Sequence, residues 1–82
     1  MPSIEIPMPN LTTIQMGDTI IWFSYTTPVA FSNTKTGRIV RQNDWSTTTG
    51  KHLNYIDGGG EAKKRRVDRE TFEAKLREAG LM

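Results

Sequence analysis

The chain predicts an α+β fold, a small antiparallel sheet of three to five strands with two helices packed on one face. Three observations carry this. Short β-branched and aromatic runs separated by turn residues fill the first half, as consecutive hairpins require. After Asn43-Asp44 the apolar spacing changes from alternation to helical periodicity, and a second helical pattern with its own cap closes the chain. Eighty-two residues, 35% of them apolar, allow one small domain. Its expected parts are a proline-rich extension or edge strands over 1–18, sheet and first helix over 19–57, a glycine and basic connector or edge strand over 58–67, and a C-terminal helix over 68–79.

Ile4 and Ile6 alternate with polar residues but sit among Pro2, Pro7 and Pro9, which cannot donate to a ladder, so this segment reads as a short edge strand. Leu11 to Met16 repeats a weak β pattern, and Gly17-Asp18 is a tight-turn pair. Thr19 to Tyr25 is the strongest strand, apolar on both faces in its middle, and belongs at the sheet centre. Thr26-Thr27-Pro28 is expected to break it, Val29-Ala30-Phe31 to resume, and Arg38 to Arg41 to return after the turn chemistry of Asn33 to Gly37.

With Ser46 or Thr47 as N-cap, Thr49, Leu53 and Ile56 fall on one helical face that ends near Asp57 and Gly58-Gly59-Gly60. The triple glycine reads as a flexible joint. Asp68 caps the last helix, Glu70 and Glu73 lie toward its positive end, and Val67 is placed to staple onto Phe72. Phe72, Leu76 and Ala79 form its buried stripe, expected against the strand of Ile21 and Phe23, and Gly80 stops it.

The net charge of +2 hides an asymmetry: residues 1–34 hold Glu5 and Asp18 but no Lys or Arg, so all eleven basic residues follow. Such a distribution favours a face that meets something negative. Without cysteine there is no disulfide or thiolate metal site. The longest strictly apolar run, Ile20 to Phe23, is far too short to span a bilayer, and no leader pattern opens the chain, so a soluble cytoplasmic protein with no membrane contact is expected.

Chemistry is sparse. Thr49-Gly50-Lys51 lacks the earlier glycine of a phosphate loop, Trp45 standing there, and His52 occupies the place of the magnesium-binding hydroxyl. His52 is the sole histidine, which excludes a multi-histidine zinc site and favours a buried, hydrogen-bonded role. No metal, cofactor or catalytic residue is assigned, and a non-enzymatic role is expected. Two features suit anions. Ser46, Thr47, Thr48 and Lys51 stand at a helix entrance, and Lys63-Lys64-Arg65-Arg66 is the densest cationic run. Arg38 and Arg41 would extend them into one basic face if the fold brings them together.

Thr27-Pro28-Val29-Ala30-Phe31, the segment Asn43 to Asn54 and Lys64-Arg65-Arg66-Val67 ahead of Glu70-Thr71-Phe72 form an ordered series. Over roughly residues 19 to 79 the series resembles short uncharacterised proteins of bacteriophages and mobile elements that carry a Trp-Ser-x-Thr-Thr-Gly-Lys-His-Leu-Asn segment. The resemblance implies a phage-like origin and a host-cytoplasmic setting, and transfers no catalytic residue. The leading expectation is a binding protein that contacts nucleic acid through Lys63 to Arg66 and the Ser46-to-Lys51 entrance. The alternative is an effector that binds and inhibits or redirects a host protein in defence or takeover. One continuous basic face would favour the first, an apolar patch ringed by polar groups the second.

Overall fold

Five strands joined by tight loops form one antiparallel sheet in sequence order, β1 (Ser3–Met8), β2 (Leu11–Met16), β3 (Thr19–Ser24), β4 (Thr27–Asn33) and β5 (Gly37–Val40). Helix α1 (Thr47–Asp57), a 3-10 helix over Gly60–Arg65 and helix α2 (Arg69–Glu78) follow. The computed structural model describes residues 3–81; of the edge prolines read from sequence, Pro2 lies outside them.

The first three loops are two residues long, and Asn10, Gly17 and Tyr25 take them through positive φ of 65°, 60° and 57°. The fourth closes on Gly37 at φ 69°, with the Asn33 side chain accepting from the Lys35 and Thr36 N–H groups, each at 2.9 Å. Pro28, expected to break the chain, instead lies within β4. It is tolerated because β5 pairs only with Ala30 to Asn33, so no β5 acceptor faces the missing N–H. The register shifts next to it, leaving Val29 as an extra residue between the Trp22–Ala30 and Phe23–Pro28 pairs.

Two apolar clusters hold the helices, and they correct one expectation. Leu53 and Ile56 of α1 pack with Leu11, Trp22, Ala30 and Val40, whereas Phe72 and Leu76 of α2 pack with Phe31, Ile21 and Ile39. The sheet members of the two sets are sequence neighbours, and side chains alternate along a strand, so the helices lie on opposite faces and do not share one. The reason is that β3, β4 and β5 are apolar on both sides where they cross. A thin sheet of this kind needs cover above and below. Phe72 meets Phe31 edge-on at 5.8 Å between ring centres. Val67 joins this cluster as the staple expected of it, but Phe23 does not.

The connector forms a turn and a 3-10 helix where an edge strand was the alternative. Gly58, Gly59 and Gly60 follow φ of 88°, 67° and 51°, a path that side chains resist, and the Gly58 N–H caps α1 on the Asn54 carbonyl at 2.7 Å. The basic run then winds into the 3-10 helix. Only Val67 reaches the sheet, where it bridges β5 through Val67 N–H to Val40 O at 2.9 Å and Gln42 N–H to Val67 O at 2.8 Å.

Candidate nucleic-acid interface

Start with the helix entrance. Ser46 is the N-cap of α1, its hydroxyl accepting from the Thr49 N–H at 3.4 Å, and Thr47, Thr48 and Lys51 are exposed beyond it. No acid stands in that first turn. The cap is thus satisfied internally, which leaves the two threonine hydroxyls and the Lys51 ammonium as the groups available to a ligand.

The remaining cations divide by face. Arg38 lies on the α1 side of β5, where its guanidinium donates to the Ile56 carbonyl at 2.7 Å and lies 5.8 Å from the Trp22 ring centre. A cation there suits the negative end of α1. Arg41, three residues on, is on the α2 side. It pairs with Asp44 at 3.1 Å and sits 4.3 Å from the Trp45 ring centre, while its buried Nε has no hydrogen-bond partner. The expected single face including both is therefore corrected by the pleat, which sends them apart.

The Lys63-to-Arg66 run also splits. Lys63, Lys64 and Arg65 are exposed on the 3-10 helix, with Lys64 3.1 Å from Glu61. Arg66 turns inward. Its Nε–H donates to Asp57 Oδ2 at 2.8 Å and its Nη2–H to Asp57 Oδ1 at 2.9 Å, with a further bond to Asn54 at 3.1 Å. The pair's side chains are only 6% and 7% exposed. Burial pushes the Asp57 carboxyl up, but the Arg66 hydrogen bonds, the Gly59 N–H and the Arg66 charge outweigh it and hold the group below its ordinary 3.8. Arg66 is committed to the fold.

One juxtaposition does assemble. Arg38 and Arg65, far apart in sequence, line the same cavity of about 380 Å³ with Ser32, Val40, Asp57 and Ala62. Its acid, Asp57, is already neutralised by Arg66. Two arginines and a serine thus line one concave surface, the Arg38 guanidinium already giving one N–H to the Ile56 carbonyl, with Lys63 and Lys64 on the adjoining turn. Lys51 is not among its lining residues.

Sequence reasoning missed the partner of His52. The ring is 1% exposed, Ser24 lies 2.7 Å from Nδ1, and the Pro9 carbonyl lies 2.9 Å from Nε2. A carbonyl only accepts, so Nε2 donates to Pro9, and Nδ1 and the Ser24 hydroxyl share the second hydrogen bond. Thr49 Oγ1 completes the network at 3.0 Å from Ser24. The three groups tie α1 to the loop between β1 and β2 beneath the surface. Asn10 O also accepts from the Tyr25 N–H at 2.7 Å, so two loops are fastened at one point. No signal in the spacing pairs Ser24 with His52; only the register does. Among the described residues no group of three or more His, Cys, Asp or Glu could hold a metal. Among the same residues no helix is long and apolar enough to cross a membrane.

A family model of unknown function, DUF8033, matches residues 3–74, which takes in the whole sheet, α1, the basic run and the start of α2. The chain belongs to this family. The matched span of this DUF8033 member thus includes Arg38, Lys51 and the cavity between β5 and the 3-10 helix. Neither a curated protein nor a solved structure matches the chain.

Proposed function

We propose that the chain is a non-enzymatic binding protein that contacts nucleic acid through Lys63, Lys64 and Arg65, with the Arg38–Arg65 cavity receiving a phosphate. The observation that supports this is the convergence of Arg38 and Arg65 on one cavity whose single carboxylate is already paired. Phosphate backbones reward clustered exposed cations through counterion release, whatever the base sequence. Lys51 and the Thr47 and Thr48 hydroxyls add a weaker contact at the α1 entrance. The resemblance to bacteriophage and mobile-element proteins supplies the setting, the cytoplasm of a host cell. No cofactor enters this reading.

Fluorescence anisotropy with labelled duplex and single strands at several salt concentrations tests it. Replacing Lys63, Lys64 and Arg65 with Gln flattens the slope of log affinity against log salt by about 3 on a duplex, at about 0.9 per phosphate contact. Absence of binding by the unmodified protein at low salt rejects the reading.

The host-protein effector has one observation in its favour, the 68% exposure of both Ile4 and Ile6 on the sheet. Capture of one defined protein from nuclease-treated lysate, lost when Ile4 becomes Asp, would displace nucleic acid as the preferred partner.

A further inference from the structure

An apolar row crosses the entire sheet. Ile4 pairs with Ile14, Ile14 with Ile21, Ile21 with Phe31 and Phe31 with Ile39, one residue from each strand on the α2 face. Of this row, Ile21, Phe31 and Ile39 pack with Phe72 and Leu76 of helix α2. The row then runs out from under the helix into solvent, where Ile14 is half-buried and Ile4 is 68% exposed. By alternation Ile6, Met16 and Phe23 share this open half, and Ile6 and Met16 are 68% and 42% exposed. The half-face is built like the covered half, but no helix among the described residues covers it.

We propose that this uncovered half-face of β1 to β3 is a self-association surface on which a second copy of the chain docks face to face. The charge pattern selects the occupant. Residues 1–34 contain no Lys or Arg, Glu5 points to the opposite face by alternation, and Asp18 lies in a turn where it accepts from Thr34 at 2.7 Å. An uncharged apolar surface gives a nucleic acid, an anionic bilayer or a charged peptide no ionic contact, whereas two copies of it meet without apposing like charges. The two surfaces share one width and one twist, the condition for aligned sheet packing at about 10 Å.

The neighbouring helix supports the same geometry. A helix about 10 Å in diameter fills a layer as deep as a packed sheet, so α2 stands beside the open half as a wall of matching height. A copy related by a two-fold axis along the strands brings its own β1 edge against that wall. Direct edge-to-edge pairing is the poorer route, since Pro7 offers no N–H and the β1 register shifts between Glu5 and Met8. Three strands six residues long give a footprint of about 300 Å² per copy from strand spacing and rise, less than the roughly 800 Å² per partner of a standard stable interface, so the association is weak and reversible.

Sedimentation velocity on the full chain from about 5 µM to about 1 mM tests the proposal. The mass is expected to rise from the single-chain 9.3 kDa toward twice that value. Amide chemical-shift changes on concentration are expected on β1 to β3 and to spare α1. The double variant Ile4→Ser/Ile6→Ser, and separately Met16→Lys, should abolish the rise while circular dichroism at low concentration stays unchanged, because none of these side chains belongs to the buried core. A chain that remains single at 1 mM overturns the proposal. So does association that persists in the folded variants, or a surface that captures a different protein while never pairing with itself. Nucleic-acid binding plays no part in this readout, so the two proposals fail separately.

Discussion

Arg66 and Asp57 meet through two parallel hydrogen bonds of 2.8 and 2.9 Å, and the same carboxylate also accepts from the Gly59 N–H at 2.9 Å. The end of α1 and the end of the 3-10 helix are thereby clamped together. Removing one partner of a buried pair leaves the other charge stranded, which costs about 3 kcal/mol or more. Arg66→Gln is therefore expected to lower the unfolding free energy by about 3 kcal/mol, while Arg65→Gln changes it by less than about 0.5. Urea titration of the two variants checks the contrast. Equal, small effects would mean that Arg66 is a surface cation after all.

Acid should loosen the same clamp. The Asp57 carboxyl is held below 3.8 despite its burial, and the Asp68 carboxyl is lowered by the Thr71 side chain and by the Thr71 N–H, which donates to it at 2.9 Å. A depressed carboxylate contributes stability that is complete above its unfolded pKa and is lost as pH falls through the folded value. The melting temperature is thus expected to be flat through pH 5 and to fall below about pH 4. Asp57→Asn, less stable at neutral pH, should show a shallower fall over that window. An identical slope in wild type and variant would remove Asp57 as the sensing group.

Ser24 and His52 should behave as one unit. Ser24→Ala leaves the buried Nδ1 without its partner, at about 1 to 3 kcal/mol, and His52→Phe leaves the Pro9 carbonyl unpaired and Ser24 with Thr49 alone, at a similar cost. Because the two losses overlap, the double variant is expected to cost about 0.5 to 3 kcal/mol less than their sum. A double-mutant cycle by chemical denaturation measures this; strict additivity would mean that the hydrogen bond contributes nothing.

Phe72 is 1% exposed and stacks edge-on against Phe31. Phe72→Ala should cost about 3 kcal/mol from lost burial and the cavity left behind, which for a domain of this size lowers the melting temperature by about 12 to 24 °C. Differential scanning calorimetry checks it. An unchanged transition would make α2 peripheral to the fold.

Local grammar was readable from the chain because it acts over a few residues. Ser46 and Asp68 cap their helices, Gly58 ends α1, Thr49, Leu53 and Ile56 are buried, and the central strand is central. What escaped was whatever depends on which residues meet across the sheet. Arg65 and Arg66 are indistinguishable by type and position in a basic run, yet the phase of the 3-10 helix sends one to solvent and the other to Asp57. Arg38 and Arg41 separate for the same kind of reason. The double-sided apolarity of β3 was visible and was the available warning that one face could not hold both helices. The glycines carry least information by type: composition reads them as a joint, and only their dihedral angles show that the joint is a turn through positive φ.

The double-sided sheet has a consequence for how the chain finds its register. In an ordinary half-buried sheet, slipping one strand by a residue throws its greasy side into water, and that penalty enforces alignment. Here a slip of β4 or β5 would trade Phe31 for Ala30, or Ile39 for Val40, and still bury apolar groups on both sides. Hydrophobicity then resists the error only through the misfit in size, since the exchanged residues are all apolar. Alignment must then be dictated by the corners, where Asn10, Gly17, Tyr25 and Gly37 turn the chain at fixed counts. A β-branched residue at Gly17 or Gly37 would therefore do more than weaken the fold. It would remove the ruler, and the product would be a mixture of misaligned sheets, each compact and each wrong.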